Sequence, residues 1–600
     1  MQTLYKALGG LLLCASALGA QAQTTTQQPA QEQIRLNQLG FYPNAPKVAV
    51  VVGENKGGKF YIKTADGSKT VYTGQLTDTK KAELSGRPTR IADFSRFTKP
   101  GTYVLEVPAL GSSYTFEIEP DVHRKLAAAA IKGFYYQRMS TDLPEKYAGK
   151  WHRAAGHPDN HVLVHPSAAS AERPAGTIIA APRGWYDAGD YNKYIVNSGI
   201  STGTLLSAYE DFPQYYKAQQ LNIPESSNAV PDLLDEVLWN LRWMLAMQDP
   251  NDGGVYNKLT NPAFDGMVMP DKATNARYVV QKGTAATLDF AAVTAQASRI
   301  FRNYEKELPG LADSCLTAAT KAWAWAQKNP NMVYDQDAIN KQYEPKITTG
   351  GYGDRDFSDE FIWAAAELYT TTKNDSYYKA VNMLPDNKMP LPSWPQVRLL
   401  GYYTLLRNSN NLTAAAKKDI PEIKKRMVNF ADELIAGTST RAYRTVMGKS
   451  ASDYIWGSSS VAANEGIVLL EAYQLTGEKK YAEAALSNLD YLLGRNAVGY
   501  SFVTGYGDKA TMHPHHRPSI ADGIAEPVPG LLSGGTNARA NQQDHCPGYN
   551  TSASPDEMYL DSDCAYAANE IAINWNAPLV YLAGALEALQ QKAGFSGPVK

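Results

Sequence analysis

Pro231-Asp-Leu-Leu-Asp-Glu-Val-Leu-Trp-Asn-Leu-Arg-Trp-Met-Leu-Ala-Met247 is the stretch whose period decides the fold. Leu234, Val237, Leu238, Leu241 and Leu245 recur at spacings of three and four, so they share one face of a helix. The same period returns over 128–138, 202–209, 285–304, 311–328, 358–371, 397–406, 414–436, 458–475, 480–493 and 566–591. That is about a dozen helices, joined by long connections rich in glycine and aromatics. No strong strand signal recurs among them and no short repeat is visible. The expectation is a large all-α domain over 121–600, its helices paired in a closed ring.

Upstream the period changes. The segments 47–52, 59–63, 70–73, 102–107 and 114–118 are short, β-branched or aromatic, and separated by Gly, Pro, Asn and Asp. They predict a small β-sandwich over 34–120. Residues 23–33 are polar and rich in Thr and Gln, and read as a disordered linker. Lys6, the apolar run 8–18 and Ala20-Gln21-Ala22 have the layout of a secretory signal cleaved after Ala22. The run is too short to span a membrane. Cys14 raises a lipoprotein alternative, but Leu13 before it is too large for the usual attachment pattern. A secreted or periplasmic protein is expected.

A formal net charge of −2 gives no argument for nucleic acid as a partner. With 37 Tyr against 15 Phe, plus 10 Trp, the chain favours aromatics that pair a flat face with a polar tip. Beyond the signal three cysteines remain, so at least one is unpaired. Cys546 and Cys564 are left open as a disulfide or as thiols.

Long connections in a compact domain usually carry function. In Gly184-Trp185-Tyr186-Asp187-Ala188-Gly189-Asp190-Tyr191, two acids are separated only by Ala and Gly. Gly189 permits a sharp turn, so both carboxylates can face one water, with Trp185, Tyr186 and Tyr191 as flat walls. The same residues also make an ordinary turn or part of a calcium loop. Glu570 stands among Ala, Ile and Trp, and an apolar surround raises a carboxyl pKa towards that of a general acid. His513-Pro-His515-His516-Arg517-Pro518 is too stiff and too irregular for zinc, and reads as a loop presenting His and Arg to sugar hydroxyls. Asp354, Asp356, Asp359 and Glu360 cluster at a helix start, where calcium binding or simple capping explains them.

Together these residues resemble glycoside hydrolase family 9, the inverting cellulases, in the subgroup with an N-terminal immunoglobulin-like domain. The C-terminal pattern aromatic-x-Asp-x4-aromatic-x3-Glu-x-Ala-x3-Asn-Ala is filled by Tyr559, Asp561, Tyr566, Glu570, Ala572, Asn576 and Ala577. His515 and Arg517 fill a second pattern, and Asp187 and Asp190 a third. The segments 251–256 and 284–291 also look like the family. The likeness covers nearly all of the chain beyond the signal. It implies a mainly α protein, an (α/α)6 barrel preceded by a small all-β immunoglobulin-like sandwich.

The resemblance implies that Glu570 is the general acid, Asp190 the base that activates water, and Asp187 a second holder of that water. It implies that His515 and Arg517 contact the sugar and that Asp561 supports the site. Trp394 and Trp456 resemble aromatics that stack on glucose rings, and Tyr352, Tyr566 and Trp185 join them as expected substrate contacts. Calcium would be held by Asp356, Asp359 and Glu360, although Gln396 stands where relatives often have Asp. Relatives often hold zinc with two Cys and two His. Here Met139 and Gly156 replace the cysteines and leave His157 with His161 or His165, so no zinc is expected. The expected activity is endo-hydrolysis of β-1,4-glucan by a monomer. The alternatives are xyloglucan or mixed-linkage glucan, exo action, or a non-catalytic glycan-binding scaffold.

Overall fold

The computed structural model describes residues 30–54, 57–108 and 110–597. The signal-like segment 1–22 lies outside the described residues. So does most of the expected linker, although Ala30–Gln33 form one helical turn whose Glu32 pairs with Lys509 at 3.1 Å.

Twelve of the helices in the described residues form the two rings of the main domain, with short helices such as Pro213–Ala218 and Gln336–Gln342 between them. In chain order they are α1 (Arg124–Tyr136), α2 (Ile195–Asp211), α3 (Asp232–Ala246), α4 (Thr284–Phe301), α5 (Leu311–Lys328) and α6 (Ser358–Thr372). After them come α7 (Asp375–Lys379), α8 (Arg398–Arg407), α9 (Ile420–Ile435), α10 (Ser458–Thr476), α11 (Lys479–Leu492) and α12 (Ile573–Leu589). The even-numbered helices form the inner ring. Side by side run α2, α4, α6 and α8, then α10, α12 and back to α2, while α9 packs on both α8 and α10. The odd-numbered helices lie outside: α1 on α12, α3 on α2, α5 on α4, α7 on α6 and α11 on α10.

Composition sorts the two rings. Every residue of α4 except Arg299 is buried, and α12 is apolar nearly all round, as befits helices enclosed by others. Outer α9 buries only Ile423, Met427, Ala431 and Leu434, one stripe at helical spacing. In α3, Leu234, Val237, Leu238 and Leu241 are buried as the period predicts, and Leu245 is half-buried. Each such burial stabilises the fold by about 1.5–3 kcal/mol.

The N-terminal domain is a sandwich of two sheets. One orders Ile34–Arg35, Val48–Val52, Pro88–Asp93 and Lys80–Lys81. The other orders Gly40–Phe41, Phe116–Ile118, Gly101–Val107, Lys59–Thr64 and Thr70–Gln75, with Gly111–Ser112 at its side. Pro88–Asp93, paired with Val48–Val52 along its whole length, has too weak an alternation to stand out in sequence. Phe41, Phe60, Phe94 and Phe116 fill the space between the sheets. Polar contacts tie the sandwich to the barrel: Asn37 donates to Asp490 at 2.8 Å and the Tyr42 hydroxyl to Glu587 at 2.7 Å.

Two features depart from the expected pattern. A small five-stranded sheet lies within the helical domain, in the order Ile178–Ile179, Val162–Val164, Arg277–Val279, Lys258–Thr260, Lys193–Tyr194. Strands of two or three residues are too short to show a period of two. The expected helix 566–591 is broken: Tyr566–Asn569 forms one turn, Glu570 to Ala572 are extended, and α12 begins at Ile573. Among the described residues no helix is long and apolar enough to cross a membrane.

Candidate active site

The extended break before α12 is the junction of the site. Its residues pair with three other chain segments: Glu570 with His515, Ile571 with Ser533, and Ala572 with Ala188. The Ile573 amide donates to the Asp187 carbonyl at 2.9 Å, and the Gly534 amide to the Glu570 carbonyl at 2.8 Å. The His515 amide donates to Asn569 O at 2.9 Å, and the Arg517 amide to Gly189 O at 3.2 Å. Segments almost four hundred residues apart are thus stitched by backbone into one floor. Gly189 serves this closure rather than a sharp turn. It has no left-handed φ, but a Cβ there would lie 2.0 Å from the His515 carbonyl oxygen.

On that floor sits a cleft of ≈ 630 Å³. Asp187, Asp190 and Glu570 line it, with Tyr194, Tyr352, Trp394, Trp456, His515, Arg517 and Tyr566 around them. Asp187 is buried and accepts hydrogen bonds from Asn197 Nδ2 at 3.0 and 3.1 Å and from the Tyr352 hydroxyl at 3.0 Å. Asp190 Oδ2 accepts from Asn192 Nδ2 at 2.6 Å and from the Tyr194 hydroxyl at 3.0 Å. Burial first, and the Asp190 charge second, push Asp187 well above the usual carboxylate range. Glu570 is pushed well up too, by burial and then by the Asp190 and Asp187 charges, against a smaller opposing effect of Arg517. Burial and like charge therefore favour the protonated form of Glu570, beside the Asp187 and Asp190 pair in the same cleft. Separating acid from base in this way is what proton transfer at both ends of a bond requires.

The three clustered histidines part company. The His515 Nδ1 lies 2.6 Å from the Asp563 carbonyl, so that nitrogen carries the proton, and the ring lines the cleft. His516 is buried against Gln137 and Ser519, and His513 is exposed. Arg517 binds backbone, donating to Asp265 O at 2.9 Å and Gly189 O at 2.7 Å, and its guanidinium lies 5.7 Å from the Phe264 ring. Asp561 lies behind the lining. It accepts from the Met512 and His513 amides at 2.9 and 2.8 Å and from Asn569 at 3.1 Å, so it fixes the histidine loop without touching Glu570.

The aromatics divide in the same way. Trp456 and Tyr566 pair at 5.5 Å, and Trp394 and Tyr352 at 5.4 Å, all lining the cleft. Trp185 does not reach it: the indole is 0% exposed and packs 4.6 Å from Phe134 in the core. Tyr186 and Tyr191 are buried as well, 4.7 Å from each other. The aromatics beside the acids therefore anchor the turn from behind. Sequence reading missed Phe264, 48% exposed at the cleft, and also Asn574 and Trp575. Phe264 is a single aromatic between Ala263 and Asp265, in no periodic run, and gives no local signal.

The acidic cluster at the start of α6 has a different membership from the one expected. Asp356 is exposed and accepts the Ser358 amide at 3.1 Å. Asp359 and Glu360 instead face Asp289 of α4 and Asp354, and burial with these like charges pushes Asp289, Asp359 and Glu360 up. Both oxygens of Asp289 and of Glu360, one each of Asp354 and Asp359, and the Gln396 Oε1 have no hydrogen-bond partner. Among the described residues no three Asp, Glu, His or Cys side chains are placed so that they could together hold a metal ion. The orphaned all-oxygen set nevertheless fits a hard cation such as calcium. The zinc position does not fit its metal. Met139 packs with Tyr186 and Tyr191, and a Cβ at Gly156 would lie 2.5 Å from Pro270. His157 is held by the Tyr186 hydroxyl at 3.0 Å and His165 by Ser167 and the Pro345 carbonyl, while His161 is exposed. Cys546 and Cys564 form a disulfide, and Cys315 is buried and free.

Comparison with known proteins agrees with this geometry. Residues 123–583 match the glycosyl hydrolase family 9 profile, and residues 29–112 match the cellulase N-terminal ig-like domain. A xyloglucan-specific endo-β-1,4-glucanase of Bacteroides ovatus is 47% identical over 98% of this chain and 98% of its own. Endoglucanase D of Acetivibrio thermocellus is 33% identical over 94% of this chain and 85% of its own. A solved Bacteroides ovatus GH9 structure superposes with a TM-score of 0.89 at 47% identity, covering 94% of this chain and all of that one. The ring of paired helices is an (α/α)6 barrel, and the chain belongs to glycosyl hydrolase family 9.

Proposed function

We propose that Glu570 protonates the departing glycosidic oxygen while Asp190, with Asp187 beside it, removes a proton from the attacking water. The chain is an endo-β-1,4-glucanase by family and by its relatives. The observation that carries the residue roles is the opposition of a carboxyl raised by burial and two charges to a hydrogen-bonded carboxylate pair across one cleft. Inversion needs the acid and base roughly 6.5–9.5 Å apart, so that water fits on the face opposite the leaving group. Asp187, the more strongly buried of the pair, is pushed towards its protonated form, and Asp190 is the base in this reading. The Nε2 of His515 accepts from a sugar hydroxyl. Trp456 with Tyr566, and Trp394 with Tyr352, stack on the glucose faces.

Glu570→Gln tests this. It keeps shape and polarity but holds no transferable proton. Hydrolysis of a soluble glucan is expected to fall roughly a hundred- to ten-thousand-fold. The sign for the parent enzyme follows from the raised acid: Glu570 works only while protonated, so activity falls as pH rises through its elevated pKa. Wild-type turnover by E570Q overturns the assignment.

For the natural substrate we favour a branched β-1,4-glucan of the xyloglucan class. Exposed apolar side chains gather on the loops that bear cleft residues: Met267 beside Phe264, Ile455 beside Trp456, and Met512 on the His515 loop. Such a rim offers contact to sugar branches standing off the main chain. A panel of xyloglucan, mixed-linkage glucan and unbranched glucan decides it, and a preference for the unbranched polymer refutes it. A calcium ion held by Asp289, Asp359 and Glu360, with Asp354 and Gln396, would supply charge balance and rigidity at the start of α6. Export, followed by action as a monomer without nucleic-acid partners, completes the reading. A disulfide that persists in oxidising compartments and the net charge of −2 support it.

A further inference from the structure

Lys258 lies behind the carboxylate pair and takes no part in the acid–base chemistry described so far. Its side chain is fully buried on the short strand Lys258–Thr260. The ammonium donates to Gly350 O at 2.5 Å, Gln336 Oε1 at 2.6 Å and Thr349 Oγ1 at 3.0 Å, with Thr349 O at 3.5 Å. All of these acceptors are uncharged. The rings of Tyr194 and Tyr334 flank it at 5.5 and 5.6 Å. Burying an ammonium on neutral acceptors is costly, and burial pushes its pKa down to about 7. The charge that counteracts this is Asp190.

Two routes lead from Lys258 to the site. Tyr194, whose ring the ammonium faces, donates its hydroxyl to Asp190 at 3.0 Å. Gly350, whose carbonyl the ammonium holds, is two residues before Tyr352, which donates to Asp187 at 3.0 Å. Tyr194 and Tyr352 also meet edge to face at 4.8 Å. The remaining titratable groups around Asp190 are Asp187 and Glu570, whose charges oppose its own, with His515 and Arg517 on the cleft side. Lys258 is the cation placed behind it.

We propose that Lys258 is a positioning residue that places a positive charge behind Asp190, the base, through Tyr194, while anchoring residues 350–352 against Asp187. Below about pH 7, where the ammonium carries its proton, this positive charge behind the base offsets the repulsion from two neighbouring carboxyls, and it does so without entering the cleft. This rests on the reading of Asp190 as the base. Asp190→Asn separates the two ideas: full activity in that variant sinks the base reading, whatever Lys258 does.

The test is the pH dependence of kcat/KM on a soluble glucan for Lys258→Met, Lys258→Gln and Lys258→Arg, with thermal melting of each. Gln retains a donor for Gly350 and Thr349 but has no charge, so it separates anchoring from electrostatics. Losing the charge makes protonation of the carboxylate pair easier. The acid limb of K258Q and K258M is therefore expected to move up by about one unit, with K258R close to wild type. At a pH on the wild-type acid limb, that shift is a loss of about tenfold in kcat/KM. Acid limbs of K258Q and K258M that coincide with wild type overturn the proposal. So does a failure of both to fold, which would make Lys258 purely structural.

Discussion

Replacing Gly189 by Ala tests the backbone closure of the site with a single methyl group. The new Cβ would stand 2.0 Å from the His515 carbonyl oxygen, where real contacts are essentially never under 3.0 Å. The obstacle is backbone and cannot swing aside, so one of the two segments must retreat by about 1 Å. Both carry reacting groups: the Gly189 carbonyl receives the Arg517 amide and guanidinium, and His515 pairs with Glu570. A misplacement of that size costs about a hundredfold in rate, or about 2.7 kcal/mol of transition-state stabilisation. The measurement is kcat on a soluble glucan, with far-ultraviolet circular dichroism to confirm an intact barrel. G189A with wild-type kcat would refute the idea that the acid and base segments are held in register at this contact.

Three further outcomes follow from the geometry. Chelation should lower the melting temperature, and added calcium should restore it. A site at a hundred times its dissociation constant contributes about 2.7 kcal/mol. The loss should be larger at high pH, because the carboxyls of Asp289, Asp359 and Glu360 are raised in the fold and cost stability as they ionise; a pH-independent effect counts against the cluster. Replacing Cys546 and Cys564 by Ser frees the segment whose Asp563 carbonyl orients His515, so KM for glucan should rise with stability lower by about 2 kcal/mol; unchanged kinetics would separate the disulfide from the site. Trp456→Ala should raise KM about tenfold with little change in kcat, read from initial rates; the reverse pattern would place the indole in the chemistry instead of the binding.

The legible part of the fold was its periodicity. Long amphipathic runs such as 231–247 gave the helices, and alternating short runs gave most of the sandwich. What escaped was set by partners distant in sequence. Nothing within 566–591 shows that Glu570 to Ala572 are extended, because the reason lies in Ala188, His515 and Ser533. The site was legible in its charged residues, each of which sat in a compact, unusual motif. Its aromatics were not. Trp185 and Trp456 look alike in sequence, and only packing sends one into the core and the other to the cleft. Asp289 was hidden for the opposite reason: inside an apolar helix a lone acid has no meaning until α6 brings its partners.

The break before α12 also sets the order in which the molecule becomes an enzyme. A chain made from its N-terminus can assemble the sandwich and eleven of the twelve ring helices while still lacking both Glu570, the proposed acid, and the helix that closes the ring. On the acid role proposed for Glu570, hydrolytic competence therefore arrives only once Glu570 and α12 are in place. A product that terminates before Glu570 lacks the proposed acid, however much of the barrel it contains. Synthesis itself would then work as a safety catch, released when α12 packs between α2 and α10.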